Sequence, residues 1–321
     1  MVMVMEVITT KKFFTPTLSL TIISLIALAI LPFFVESIYV ITFFYLVLLN
    51  IALAESWNLI GGYCGQILLG MSAFIGVGAY TSSILYASGT PAFLSVLLGG
   101  VMAVCLSFVL IPTFRLRGVY FAIGTLFFPE IIRVIVISLG DITGGAGGFY
   151  LPLPEVFTPL PYYFSALGLA VVTIITVNWL INSKIGLAIR AIRDNEDAAQ
   201  SIGIFSVKYK ILALAICAFF AGLAGGIHSF YLLFLEPHSA FSIMWSVAPV
   251  FMVIIGGSAS LIGPIIGAII FTSLSQLLTM VVGEIHLTIF GIILIAVMLF
   301  SPEGLIKVIR KLLTKNRLSL F

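Results

Sequence analysis

The sequence predicts an all-α fold, a polytopic membrane helical bundle of about ten transmembrane spans with glycine-rich broken segments. Hydrophobic residues make up 61% of the 321 residues and charged residues 8%, whereas a soluble domain carries about 25% charged residues. The apolar residues form runs that match the roughly 20 residues of a membrane-spanning helix. The basic residues cluster between these runs, as is usual in a multi-pass membrane protein.

The apolar runs are separated by short links that contain charges, prolines or glycines. Residues 1–17 form an N-terminal segment, 302–321 form a basic tail, and the membrane domain is predicted between them at 18–301. Glycine-rich stretches at 61–66 and 256–264 are either turns or re-entrant breaks, and their matching places in the two halves are weak evidence of duplication. The predicted spans are 18–35, 38–60, a Gly-, Ala- and Ser-rich segment at 61–80, 92–112, 118–139, 162–181, 211–235, 241–255, 265–282 and 287–300.

The positions of the basic residues predict the orientation. Of the 15 Lys and Arg residues, all but Arg133 fall in four clusters, at 11–12, 115–117, 184–210 and 307–317. With ten spans these clusters lie on one side of the membrane, and the links on the other side contain no Lys or Arg. By the positive-inside rule, both termini and the 184–210 loop are predicted to be cytoplasmic. The link at 141–161 is then an extracytoplasmic loop.

The 184–210 loop is the longest polar stretch of the chain and holds eight of its 27 charged residues. Its apolar and small residues recur every three or four positions, which predicts one helix with a single common face. That face carries Ala188, Ile192, Asn195, Ala199 and Ile202. Gly203 is expected to end the helix. Two interpretations stay open: a solvated loop helix, or a surface whose small residues dock into a groove of another protein.

A few polar side chains lie within the predicted spans. Glu130 and Arg133 are three positions apart in one span, and a lone charge at the centre of a membrane helix costs about 2.5–3.5 kcal/mol. We therefore expect the two to pair with each other, or with other polar groups inside the bundle. Such a pair is either functional or a structural ion pair that fixes helix packing. Gln66 and Ser72 are uncharged and either line a translocation path or satisfy a neighbouring helix.

The sequence offers no constellation for catalysis or metal binding. The three cysteines have no CxxC spacing and the three histidines are scattered, so neither a metal site nor a cofactor is predicted. No Gly-Lys dipeptide occurs, and a P-loop that binds ATP requires one. If the protein is driven by ATP, the ATPase must be a separate chain.

Several short segments of the sequence resemble the motifs of branched-chain amino acid permeases of ABC importers (the LivH and LivM family), and they occur in the same order. The loop word DAAQSIG is similar to the EAAxxxG signature of such permeases, with Asp197 in place of the usual Glu. Met71 and Pro129 also depart from the family pattern and leave its substrate path in doubt here. The other similar words are NLIGGYCGQILLGMSAFIGVGAY (58–80), RLRGVYFAIGTLFFPEIIRVI (115–135), ITGGAGG (142–148), GLAIRAIRDNEDAA (186–199), IIGGSASLIGPIIGA (254–268) and MLFSPEGL (298–305).

The resemblance implies a permease subunit in a prokaryotic inner membrane, not an enzyme, with ATP hydrolysis on separate ATPase subunits. It implies three further associations: a second homologous permease that completes a heterodimer, an extracytoplasmic substrate-binding protein, and the membrane lipid, with no nucleic acid. The residues that it assigns to ATPase docking are Arg190, Arg193, Asp194, Glu196, Asp197, Ala198, Ala199 and Gly203. Urea and short-amide permeases are close relatives of this family and stay open, as does a self-sufficient secondary transporter or channel.

Overall fold

The computed structural model describes residues 30–34, 37–116, 118–152, 158–282 and 291–292. Most of these residues are helical, and two short strands, β1 (Phe149–Tyr150) and β2 (Phe234–Leu235), pair antiparallel. The α-helices are α1 (Ile38–Asn58), α2 (Met71–Ala87), α3 (Ala92–Ser107), α4 (Val119–Leu126), α5 (Phe128–Ser138), α6 (Gly140–Thr143), α7 (Leu160–Ile181), α8 (Lys184–Asp194), α9 (Glu196–Ser201), α10 (Ser206–Leu232), α11 (Pro237–Ala240), α12 (Ile243–Gly256) and α13 (Ile262–Val282). A π-turn follows α1 at Leu59–Tyr63, and 3-10 turns lie at Leu31–Phe33, Phe108–Arg115 and Gly145–Gly147.

The helical segments agree with the predicted class of a polytopic helical membrane protein. Seven segments of the described residues are long and apolar enough to cross a membrane: Ile38–Tyr63, Ala92–Arg115, Val119–Ser138, Leu160–Ile181, Ser206–Leu232, Pro237–Gly256 and Ile262–Val281. The shorter apolar helix α2 corresponds to an eighth predicted span. The first predicted span apart from 30–34, and the last apart from 291–292, lie outside the described residues. The total of ten therefore stays a prediction.

Helix α1 forms the centre of the bundle, since it packs against α7, α10, α12 and α13. Its second half is buried without interruption from Ile51 to Asn58. Polar side chains join it to its neighbours. The Tyr45 hydroxyl lies 3.0 Å from Nδ1 of His228 on α10, and the Asn50 amide donates to Thr272 Oγ1 on α13 at 2.9 Å.

Small residues bring α2, α3 and α10 into close contact. A Cβ placed on Gly78 of α2 would overlap the backbone of Gly222 on α10, and one on Gly99 of α3 would overlap Ser82 Oγ and the Gly78 carbonyl. Membrane helices gain their association largely from such close packing, because lipid is as apolar as the helices themselves. The Gly-, Ala- and Ser-rich segment at 61–80 is therefore a packing surface along α2.

The two glycine-rich stretches adopt different structures. Residues 257–261 form a tight turn between α12 and α13, and the helices approach so closely that a Cβ on Gly256 would overlap the carbonyl of Gly263. At 61–66 the π-turn is followed by an extended segment, 64–70, which leads back into the bundle before α2 begins. The Trp57 indole donates to the Leu68 carbonyl at 2.8 Å and satisfies part of this non-helical backbone.

The links between helices gather at two ends of the bundle. One end, called the loop end, contains α8 and α9. Both glycine-rich stretches lie there, since Gly65 contacts Arg193 of α8 and Gly62 lies against Ala259. The other end, called the ribbon end, contains β1 and β2. This distribution agrees with the predicted alternation of links along the chain.

Candidate functional site

The loop at 184–210 folds as two helices, so the prediction of one continuous helix was wrong. Asn195 interrupts it with an extended backbone (φ −159°, ψ 106°), and its side chain accepts a hydrogen bond of 3.0 Å from the Ala198 amide. Asparagine at a helix N-cap stabilises such a break, because its side chain satisfies an amide that has no partner inside the helix. Gly203 ends α9 with φ +88°, as predicted.

Most of the residues predicted to dock an ATPase lie on the surface of this loop. Ala199 is an exception, since it is 3% exposed and packs inside the chain, and Glu196 is partly buried. The exposed members are Arg190, Arg193, Asp194, Asp197, Ala198 and Gly203. The docking role itself stays a prediction.

Two polar contacts fix the position of α8 and α9 on the bundle, one at the surface and one buried. The Arg190 guanidinium donates to the carbonyl oxygen of Ile181, at the end of α7, at 2.8 Å. The Lys210 ammonium on α10 lies 2.7 and 2.8 Å from the two carboxylate oxygens of Glu196 on α9, with the Lys210 side chain only 1% exposed. These interactions tie the loop to both flanking spans.

Two large apolar side chains project from the loop beside α9. Ile202 is 76% exposed and Phe205 is 78% exposed. Phe205 lines a shallow cavity of 390 Å³, together with Gln200 and the other residues of 203–207. The exposure of these two side chains was not predicted from the sequence, where the argument rested on the charged and small residues of the loop. The signal that could have found it is the pair of large apolar residues flanking the helix-ending Gly203.

The loop contacts the non-helical segments inside the loop end. Gly65, at φ +76°, lies so close to α8 that a Cβ on it would come within 3.1 Å of Arg193 Cγ. Asn58, at the end of α1, joins the other glycine-rich stretch: its amide donates to the Ser260 carbonyl and its oxygen accepts from the Ala259 amide, both at 3.0 Å. A movement of α8 would therefore reach the π-turn, and through Asn58 the turn between α12 and α13.

Glu130 and Arg133 pair with each other, as expected. Arg133 Nε donates to Glu130 Oε2 at 2.9 Å and Arg133 Nη2 donates to Oε1. The pair does not lie inside the bundle, however: the Glu130 side chain is 56% exposed and that of Arg133 is 19% exposed. His238 of α11 is close enough to Glu130 to interact with it electrostatically. The sequence could not reveal this position, because both the lipid side and the core side of a membrane helix are apolar.

The other predicted polar residues lie deeper. Ser72 is fully buried, and its amide and hydroxyl both contact the Ser246 hydroxyl of α12 at 2.9 Å. Gln66 is half-buried in the extended segment. Glu55 of α1 is fully buried, and neither carboxylate oxygen has a hydrogen-bond partner in the part of the chain that the structure describes.

The arrangement defines a class of protein: a multi-pass membrane protein with glycine-broken spans, a charged pair on a membrane helix, and a structured polar loop coupled to the breaks. The chain belongs to the family described as the branched-chain amino acid transport system / permease component, whose model matches residues 38–301. It is thus a transport subunit of the inner membrane.

Similar proteins give the same result. The chain is 30% identical over 322 residues to the high-affinity branched-chain amino acid transport system permease protein LivM of Escherichia coli (strain K12). This alignment covers 91% of the present chain and 75% of LivM. It is 24% identical over 257 residues to a probable branched-chain amino acid transport permease protein LivM of Methanocaldococcus jannaschii, with 74% and 71% coverage. It is 27% identical over 243 residues to the autoinducer 2 import system permease protein LsrC of Yersinia pseudotuberculosis, with 73% and 64% coverage. No solved structure matches the chain.

Proposed function

We propose that this chain is the transmembrane permease subunit of an ATP-driven importer that carries branched-chain, hydrophobic amino acids into the cell. The observation that carries the proposal is the family match over residues 38–301, together with the LivM relatives. The few charged residues within the spans suit a path for substrates with apolar side chains. ATP hydrolysis then belongs to a separate ATPase, and the amino acid is delivered by an extracytoplasmic binding protein.

The loop end is the proposed cytoplasmic face. The four basic clusters support this orientation by the positive-inside rule. Cysteines placed at Gly147 and Ser239, at the ribbon end, should react with a membrane-impermeant thiol reagent added from outside the cell, after Cys105 is replaced. A cysteine at Asn195 should not react. If Asn195→Cys is labelled from outside, the loop end is extracytoplasmic. The proposed orientation is then wrong, and an ATPase cannot dock at this end.

The ATPase is proposed to dock on the surface formed by α9, Ile202 and Phe205. The two exposed apolar side chains beside a cavity offer the kind of anchor that protein interfaces use, and the surrounding charged residues offer a polar rim. The hydrogen bond of Arg190 to Ile181 and the buried ion pair of Lys210 with Glu196 hold this surface against the spans. A displacement of the loop by the ATPase is therefore passed to α7 and α10 instead of being lost in a flexible linker.

A second permease subunit is proposed to cover the face of α4 and α5. Large apolar residues line this face, among them Tyr120 (75% exposed), Phe127 (61% exposed) and Ile131 (57% exposed), and Glu130 lies among them. A carboxylate and a guanidinium at this depth would cost several kcal/mol if they faced hydrocarbon. A partner permease would shield them from lipid and, across the same face, enclose a path for the substrate.

The decisive experiment is reconstitution. The chain is co-expressed with its candidate ATPases, second permease and binding protein, and uptake of labelled leucine and of labelled urea into vesicles is measured with and without ATP. ATP-dependent leucine uptake supports the proposal, and urea uptake alone would favour a short-amide permease. Leucine uptake by the chain without any ATPase would instead favour a secondary transporter.

The docking surface has its own test. Phe205→Asp places a charge in the proposed apolar contact and should reduce co-purification of the ATPase about tenfold or more, on the scale of an interface hot spot. Lys184→Ser is the control, because it makes the same change in net charge at an exposed site on α8 away from the cavity. Equal ATPase recovery with both variants would show that the patch is not the docking surface.

A further inference from the structure

We propose that Glu130 and Arg133 form a subsite for the charged head group of a zwitterionic amino acid on its way across the membrane. The Glu130 carboxylate accepts the α-ammonium group, and the Arg133 guanidinium donates to the α-carboxylate. This inference rests on the proposed function, since only an amino-acid substrate presents both charges on one carbon.

The depth of the pair is the first observation. Glu130 lies near the middle of the 20-residue span Val119–Ser138, and Arg133 lies five residues before its end. Glu130 and Arg133 are the two charged side chains of this span, and they pair with each other. Charged residues at such depth face a bundle interior, a partner or a water-filled cavity, and they mark substrate paths in membrane transporters.

The exposure of the pair is the second observation. A purely structural ion pair is most useful when packing encloses both partners, whereas more than half of the Glu130 side chain is open to the surface. His238, which interacts with Glu130, is itself exposed and belongs to the polar link at the ribbon end. The pair is thus reachable from the side on which the binding protein is proposed to release the substrate.

The chemistry of the pair fits the head group. The Arg133 guanidinium already makes a two-pronged contact with a carboxylate, and this planar fork suits the α-carboxylate of an amino acid equally well. Without substrate the two side chains neutralise each other. When the substrate binds, Glu130 exchanges the guanidinium for the α-ammonium group, and Arg133 exchanges the Glu130 carboxylate for the α-carboxylate. The span therefore never holds an uncompensated charge.

The surroundings of the pair suit an apolar side chain. Phe127 and Val134 lie one helical turn before and after Glu130, and both are exposed on the same face, as is Ile131. A branched aliphatic side chain could lie against this surface while the head group contacts the ion pair.

The test separates a role in binding from a role in stability, using the complete reconstituted transporter. Glu130→Gln and Arg133→Gln each leave one charge unpaired in the span, and both should lower the melting temperature in detergent. The double variant Glu130→Gln/Arg133→Gln removes both charges and should regain that stability. Its leucine uptake should nevertheless stay about tenfold to a hundredfold below wild type, the scale of one lost charge-assisted hydrogen bond.

Two further readouts complete the design. The double variant should keep the second permease on co-purification, and it should keep ATP hydrolysis stimulated by the loaded binding protein within about twofold of wild type. Asp141→Asn is the control, since it neutralises an exposed carboxylate just beyond the same span and should leave leucine uptake unchanged.

Each contrary outcome has a definite meaning. If uptake recovers together with stability in the double variant, the pair is structural and the subsite is refuted. If the double variant loses the second permease, the pair is an interface contact and the subsite is also refuted. If the wild-type complex transports no amino acid, the proposed function is refuted. If the wild-type complex transports leucine and the double variant transports it equally well, only the subsite is refuted.

Discussion

The ion pair between Lys210 and Glu196 should hold α9 in place, and its removal is the sharpest perturbation of the loop. The Lys210 ammonium contacts both carboxylate oxygens of Glu196, and its side chain is almost completely buried at 1% exposure. Glu196→Ala deletes the carboxylate and leaves the ammonium enclosed without this partner. The expected result is local opening of α9 while the spans stay folded.

The structure sets the magnitude of the effect. Removing one partner of a buried ion pair costs about 3–5 kcal/mol, because the remaining charge stays buried. The Glu196 side chain is 18% exposed, so water already solvates part of this pair and the lower end of the range applies. A loss of about 3 kcal/mol corresponds to roughly a hundredfold change in the local opening equilibrium, at 1.4 kcal/mol for each factor of ten.

Amide hydrogen exchange of the purified protein in nanodiscs measures this opening directly. Peptides that cover 196–201 should exchange up to about a hundredfold faster in Glu196→Ala, whereas peptides from α2 should be unchanged. The double variant Glu196→Ala/Lys210→Met replaces the buried charge by an apolar chain of similar length and should return most of the protection. Exchange within about threefold of wild type in the single variant would refute the structural role of the pair.

Two further predictions concern contacts at the loop end and in the spans. Gly267→Ala should lower the free energy of unfolding by about 1–3 kcal/mol and reduce the yield of monodisperse protein, because the new Cβ would overlap the Met252 carbonyl. Gly168→Ala in α7 is the control, since its Cβ meets nothing within 4 Å and the yield should stay at the wild-type level. Asn58→Ala removes two hydrogen bonds to the turn between α12 and α13, whereas Asn50→Ala removes the one bond described for it. The melting temperature should therefore fall about twice as much in Asn58→Ala as in Asn50→Ala. Equal yields of Gly267→Ala and Gly168→Ala would contradict the close contact at Gly267. Equal melting temperatures of Asn58→Ala and Asn50→Ala would contradict the two hydrogen bonds of Asn58.

The positions of the helices were largely predictable, because a membrane-spanning helix is recognised in a sequence by the length of its apolar run. Two boundaries shift most: α2 covers Met71–Ala87 and not the predicted 61–80, and α10 begins at Ser206, five residues before the predicted start. The sequence analysis assigned Lys208 and Lys210 to the solvated loop on account of their charge. Lys210 is instead buried, because Glu196 compensates it, and a sequence does not show that two charges fourteen positions apart will meet.

The faces of the helices were much harder to predict than their positions. In a soluble protein the polar face of a helix marks the outside, but lipid and protein interior are equally apolar, so this signal is absent within a span. Glu130 was therefore expected inside the bundle, although it is exposed on the chain. In the loop, three members of the predicted helix face, Ala188, Ile192 and Ala199, are buried. The other two, Asn195 and Ile202, are exposed, because Asn195 divides the helix and Ile202 lies beyond its end.

The contacts at the loop end explain why the breaks in the spans lie where they do. Chains of packed side chains and hydrogen bonds carry a displacement from one element to the next. The π-turn and extended segment after α1 lie against Arg193, and Asn58 connects them to the turn between α12 and α13. A displacement of α8 by a docked ATPase would thus act on two non-helical segments at once, one leading into α2 and one joining α12 to α13. Since α2 and α12 also meet through Ser72 and Ser246, both routes converge inside the bundle.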